Sequence, residues 1–314
     1  MASLWRSRYV PIDTRHTIDI RAGPGGSYDG RVPTIGDVVR GFPRPAPGRC
    51  GDPGLFGPAS VAWRINRESV LLLGGGRALL MQVAHPLVAA GVVDHSDFTA
   101  NPFDRLWRTV DAALTVVFGD EEQALAATVR VNEIHRGVNG ARGDVAYSAV
   151  DPALLLWVHA TLVDTSIESY SAFVRPMPDP MRDRYYHEMK RMGAAFGVPD
   201  DLHPPTYADF RRYVATTIAT LDVGDESRTV SRQVLAPAMP SLVVPAGLTG
   251  GLASVGLLPP RIRTELGLRW NRGTQTAFDA LAAALRAGIP LLPDRVRFWP
   301  HARQAAHRVA SNRA

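Results

Sequence analysis

LLLGGGRALLMQVAHPLVAAGVV, residues 71–93, decides the fold. A half-buried strand would alternate apolar and polar residues with period two, and this run does not. A segment so apolar, with small residues on several sides, reads as helix at the centre of a core. Two features divide it. The triplet Gly74, Gly75, Gly76 weakens helical backbone, and Pro86 lacks the N–H that an interior turn requires. The run is therefore expected as kinked helical pieces packed inside the protein.

Helical punctuation continues outward from this run. Asn101 suits an N-cap and Pro102 the first helical position. Phe103, Leu106, Val110, Leu114 and Val117 then recur at helical spacing. Asp120 opens a second helix, with Glu121 and Glu122 in the first turn, where they complement the helix dipole. That helix is expected to reach about Val138 and stop at Asn139–Gly140. Asp151–Pro152 opens LLLWVHATLVDTSIESYSAFV, and further helices are expected at 179–196, 206–222, 260–268 and 274–287. Strand-like alternation is nearly absent, and there is no internal repeat. The expected architecture is all-α, a single globular helical domain over 57–300. A Pro/Gly/Arg-rich arm over 1–56 wraps it, and a polar tail over 301–314 leaves His301 and His307 solvated.

Composition narrows the function classes. A chain of 314 residues, 46% hydrophobic, can bury one sizeable core. The net charge of +5 invites a nucleic-acid reading. The arginines are scattered, however, and no basic–aromatic repeat of a nucleic-acid reader is present, so nucleic acid is not an expected partner. Of the 35 basic residues a single one is lysine, Lys190. Cys50, the lone cysteine, allows no intramolecular disulfide and no cysteine-built zinc or iron–sulfur site. The opening MASLWRSRYVPIDTRHT has no apolar core of a signal peptide, so a soluble, cytoplasmic protein is expected. The uncharged stretch Gln233–Pro260 is broken by Pro237, Pro240, Pro245 and the pair Gly250–Gly251. A lipid-exposed helix needs about 20 continuous apolar residues, so a buried loop and short helix is expected there, with membrane contact at most peripheral.

The chemistry must come from elsewhere. GGGR at 74–77 is neither of the glycine-rich phosphate-binding patterns, and close helix packing suits its glycines better. Gly-x-Ser-x-Gly is absent. Four of the nine histidines, His85, His95, His135 and His159, lie in apolar settings. His135 shares a helix face with Val131 and Val138, and His159 with Leu155 and Leu162. Periodicity alone fits a hydrogen-bonded core histidine at least as well as a metal ligand. Arg105, Arg108, Thr109 and Ala112 follow i, i+3, i+4, i+7 and form one stripe. Such a stripe holds an anionic group, or else it is a solvated face paired with Asp104 or Asp111. Carboxylates near the four histidines are sparse, apart from Asp94 and Asp97, which argues against a metal centre built from these histidines and carboxylates.

Taken in order, the words LLLGGGRALLMQVAHPLVAAGV, DHSDF, NPFDRLWRT, VFGD, IHRGVNG, YSAVDPALLLWVHATLVDT and LLPPRIRTELGLRWN resemble the catalytic-domain family shared by rubber oxygenase (latex clearing protein) and the ER-bound oxygenase MpaB. The resemblance covers roughly residues 57–275. It implies an all-helical fold enclosing one haem b without covalent attachment. It also implies use of O2, or of peroxide, on an apolar small molecule, isoprenoid or lipid-like, and leaves the oligomeric state open.

In the family a helix histidine binds the iron proximally. The resemblance places that ligand at His135, with His159 as rival, and puts His85, Arg77 and Arg105 around the cofactor. The rubber-cleaving branch carries Arg-x-x-Lys-Thr on the distal side. Here the match is Arg105-Leu-Trp-Arg108-Thr109, so Arg105, Arg108 and Thr109 take the catalytic positions, with arginine in place of lysine. Arginine stays protonated and has no lone pair to give a metal. Two other readings remain: a non-catalytic haem or lipid carrier, and a non-haem enzyme using the histidines.

Overall fold

Helices begin where the sequence supplies caps. In the computed structural model, which describes residues 42–95, 102–235 and 244–311 and no side chain of 102–105, Asp120 and Gln123 form a reciprocal capping box. Asp120 accepts from the Gln123 N–H at 2.8 Å, and the Gln123 side chain accepts from the Asp120 N–H at 3.2 Å. Asp151 accepts from the N–H groups of Ala153 and Leu154, with Pro152 in the first turn. The expected cap at Asn101 lies outside the described residues, but the helix does begin at Pro102.

Among the described residues the order is α1 (Val61–Asn66), a 3-10 segment (Ser69–Gly74), α2 (Gly75–Val83), α3 (Pro86–His95), α4 (Pro102–Phe118) and α5 (Glu121–Arg136). A hairpin of β1 (Asn139–Arg142) and β2 (Val145–Ser148) follows, then α6 (Pro152–Phe173), α7 (Asp179–Ala195), α8 (Tyr207–Thr220) and α9 (Asp225–Leu235). The chain ends through α10 (Val244–Gly256), α11 (Pro260–Glu265), α12 (Arg272–Gly288), α13 (Asp294–Arg297) and α14 (Pro300–Ala310). The fold is all-α, and the described residues belong to one compact unit, Val32–Ala314.

The deciding run breaks where its glycines and proline predict. It forms the 3-10 segment, α2 and α3, with a bend of 107° between Ser69–Val83 and α3. Leu80, Met81, Val83, Ala84, Ala89 and Ala90 are fully buried. Each large apolar side chain so buried contributes about 1.5–3 kcal/mol. No single helix among the described residues is long and apolar enough to cross a membrane. The glycines serve packing: a Cβ on Gly74 would collide with Ser169 Oγ of α6, and one on Gly76 with Ser254 Oγ of α10. At the centre stands α6, whose Trp157, Ala160, Val163, Ile167 and Phe173 all lie in the main core.

Two expectations need correction. Residues 139–148 form an antiparallel hairpin, with Asn139 opposite Ser148. Gly143, at φ 56°, takes the left-handed position of its two-residue turn, as glycine does in type II′ hairpins. α5 accordingly stops at Arg136. The second correction concerns His301, which is buried rather than solvated, whereas His307 is exposed as expected. α14 packs on α4, with His301, Ala302 and Ala305 buried, and Arg308 donates to the carbonyls of Asp52 and Phe118 at 2.9 Å each. The described part of the arm, residues 42–56, lies on the domain as expected. Phe56 is fully buried, and the Arg49 N–H donates to Asp120 at 2.7 Å. The remainder of the expected arm, 1–41, lies outside the described residues.

Candidate functional site

α4 and α5 run antiparallel, joined only by Gly119 and Asp120, and pack along each other. Arg105 stands 13 residues before the end of α4, and His135 stands 14 residues after the start of α5. At 1.5 Å per residue both lie about 20 Å from the turn, so their backbones share one end of the helical pair. Arg108 is one turn nearer the connection. The Arg108 and Thr109 side chains are exposed, and Trp107 beside them is buried against the Phe42 ring at 5.1 Å. Asp111, one of the carboxylates considered for the arginine stripe, faces His301 Nε2 on α14 at 3.3 Å.

His135 is half-buried, and among the described residues neither ring nitrogen has a hydrogen-bond partner; Nδ1 is fully buried. Burial lowers its pKa, so the imidazole is neutral at neutral pH and keeps a lone pair. Buried polar atoms are normally paired, and an unpaired one calls for an explanation. His85, between α2 and α3, resembles it. It too is half-buried with an unpartnered, buried Nδ1, and burial lowers its pKa against the opposing pull of the Asp151 carboxylate.

A polar clamp holds the wall beside His135. Arg142 of β1 grips Asp94 of α3 with two parallel bonds of 2.8 and 2.7 Å and reaches Glu226 of α9 through Nε at 2.9 Å. Tyr147 of β2 donates its hydroxyl to the same Asp94 carboxylate. The Arg142 and Tyr147 bonds hold that carboxyl well below the usual carboxylate range. His95 Nε2 lies 2.9 Å from the Asn139 carbonyl. A Cβ on Gly91 of α3 would sit 3.5 Å from both Val138 and Tyr147, so α3 lies directly on the segment that follows His135.

Two further residues expected near the cofactor are deeply buried. Arg77 is buried, and its guanidinium is held on three sides. Nε donates to the Leu257 carbonyl at 2.8 Å, Nη1 to Thr165 Oγ1 at 2.6 Å and Nη2 to Asp164 at 2.5 Å. Three of the sequence words, LLLGGGR, WVHATLVDT and LLPPRIR, thus meet at one joint. His159 is buried on α6, edge-to-face with His203 at 5.6 Å between ring centres. Gly193 of α7 closes over the pair, and a Cβ there would lie 2.5 Å from the His203 ring. Burial, reinforced by His203, pushes the His159 pKa down to about 3. Sequence reasoning passed over His203, whose Pro-rich setting carries no periodic signal of burial. Among the described residues no three His, Cys, Asp or Glu side chains converge to hold a metal ion, and Cys50 is exposed.

Residues 63–287 match a family model described as ER-bound oxygenase mpaB/B′/Rubber oxygenase, catalytic domain. An all-helical chain carrying that match over most of its length belongs to this oxygenase family. Among its relatives are an uncharacterized protein of Mycobacterium tuberculosis and an uncharacterized protein of Mycobacterium bovis. Each is 30% identical over 224 residues, covering 69% of this chain and 88% of the relative. No solved structure matches the chain significantly.

Proposed function

We propose that this chain is a haem b-dependent oxygenase acting with O2 on an apolar small molecule of isoprenoid or lipid-like character. The observation that carries the reading is His135, a partly buried imidazole without a partner among the described residues, at the same end of the α4–α5 pair as the family's arginine motif. The residues present fit the group. A side chain that holds a planar cofactor needs a free lone pair and room beside its ring. His135 and His159 both carry a ring nitrogen with no partner among the described residues. His135 is only half-buried, whereas His159 is buried against His203 and Gly193, which makes it the weaker candidate.

Haem, when bound, supplies the redox-active iron that activates O2. His135 would hold the metal through its neutral imidazole. Arg108 would supply a fixed positive charge where negative charge develops, or pair with a propionate, and Thr109 a small hydroxyl beside it. Arg105 shares that stripe of α4. His85 and the Asp94–Arg142 clamp would keep the neighbouring wall in place. Arg77 holds α2, α6 and the residue after α10 together, a structural role that would leave few of its donors for a cofactor.

The visible spectrum of the purified protein tests this directly. Protein made with adequate iron is expected to carry near-stoichiometric haem b. Acid should extract it, because no Cys-x-x-Cys-His is present to attach it. His135→Ala is expected to lose the haem, and His159→Ala to keep it. A colourless protein that takes up no added hemin sinks the proposal, and the reverse mutant pattern moves the ligand to His159.

A further inference from the structure

A cavity of about 230 Å³ lies between α4, α5, α14 and the segment 44–46. Its walls include Arg44, Arg130, Arg308, Asp111, His301 and Gln304. We propose that it binds a small oxyanion, either phosphate or a compact di- or tricarboxylate.

The charges argue for it. Three arginines and one carboxylate, Asp111, line the cavity, and the Asp52 and Asp120 carboxylates act on Arg308 from outside the lining. Asp111 is already engaged with His301 Nε2 at 3.3 Å, and burial keeps the His301 imidazole towards its neutral form. Among the described residues Arg44 and Arg130 make no ion pair and no hydrogen bond. Arg308 is nine-tenths buried. It commits Nε and Nη2 to the carbonyls of Asp52 and Phe118, which leaves the donors of Nη1 for something else. A planar, permanently charged fork with spare donors is the side chain best suited to a carboxylate or phosphate. The Gln304 amide, without a partner among the described residues, adds neutral donors. Size agrees as well: a cavity of about 150 Å³ admits benzene, so this one holds a phosphate or a small polycarboxylate.

The site is separate from the α4–α5 end that carries His135, and its occupancy can be read without any haem. Calorimetric titration and thermal melting of the full chain with inorganic phosphate, and separately with citrate, test it, with chloride at matched ionic strength as control. Saturable binding with a rise in melting temperature beyond that in chloride is expected for at least one of the two, and which one binds fixes the ligand class. Arg130→Gln is expected to weaken binding by ~10-fold or more, since charge-assisted bonds are the strong ones. Arg295→Gln, at an exposed arginine on α13 that is not among the cavity's wall residues, is expected to change nothing. No saturable binding of either anion overturns the proposal. So does stabilisation that chloride reproduces, or equal weakening by Arg130→Gln and Arg295→Gln.

Discussion

The Arg77 guanidinium meets a carboxylate, a hydroxyl and a backbone carbonyl, whereas neither ring nitrogen of His135 meets any partner among the described residues. Both residues sit inside family words, and in the sequence both read as polar groups set in apolar surroundings. The structure separates them by satisfaction. A buried cation with its partners in place is a joint of the scaffold, and removing one side leaves the other uncompensated. An unpaired imidazole at the edge of the core does little for the fold and is available to something that the chain does not supply. Mutation can break or sharpen this contrast.

The largest effect is expected at the joint. Arg77→Ala strands Asp164, 15% exposed, and leaves the Leu257 carbonyl and the Thr165 hydroxyl without their donor. Breaking a buried pair in this way costs about 3–5 kcal/mol, to be read from the midpoint of urea unfolding. Arg77→Lys keeps the charge but loses the fork and should fall between. Haem content per folded molecule should not change. If Arg77→Ala left the midpoint in place and emptied the haem, Arg77 would return to the cofactor and the contrast would collapse.

Acid should come next. His159 stays neutral in the folded chain down to about pH 3, whereas an unfolded histidine takes its proton near pH 6.5. Between those values the unfolded state binds more protons. The stability contributed by the neutral form is therefore complete above about pH 6.5 and is lost as pH falls towards 3, by roughly 1.4 kcal/mol per unit for one such site. Burial lowers His203 and His301 in the same direction. Urea midpoints at about pH 7 and about pH 4.5 should differ clearly in the wild type. His159→Leu should flatten the slope, and an unchanged slope would mean that the pair is not buried in solution.

Much of the scaffold was legible because its signals are local. Asp120, Asp151 and Pro102 mark helix starts through backbone groups a few residues away, and the glycine triplet and Pro86 mark breaks through their own backbone chemistry. What stayed hidden depends on distant partners. The burial of His301 needs α4, and that of His203 needs Gly193 and His159. The task of Arg77 needs Asp164 and Leu257, respectively 87 and 180 residues away. The hairpin at 139–148 was missed for another reason. Its strands are four residues each and carry little apolar alternation, and only Gly143 signals the turn. The helices that carry His135 and the arginine motif were readable from periodicity, but that His135 has no partner among the described residues was not.

At His135 the fold should barely notice a change. His135→Ala removes a half-buried ring that bonds nothing among the described residues and puts a better helix former near the end of α5, so stability should move by less than ~1 kcal/mol while haem is lost. That combination, a fold intact and a spectrum gone, is the inverse of the outcome expected at Arg77. A midpoint shift as large as that of Arg77→Ala would make His135 a structural residue.

Arg108→Lys should perturb the fold least of all, because Arg108 is exposed on α4, yet it touches the one departure from the rubber-cleaving motif. Arginine cannot give a lone pair to a metal, so the wild-type ferric protein should show no amine ligand on the distal side. Lysine can lose its proton when desolvated beside a metal, and its nitrogen then becomes a ligand. With an amine one turn from Arg105 and next to Thr109, the Arg108→Lys variant should convert part of the wild-type spectrum to a six-coordinate, low-spin form. The share of that form should grow as pH rises, because deprotonation is the limiting step. Arg108→Ala should show no such growth. A wild-type spectrum that is already low-spin, and unchanged by either substitution, would mean that a different side chain occupies the distal position. His85, with its unpartnered Nδ1, would be the first to replace.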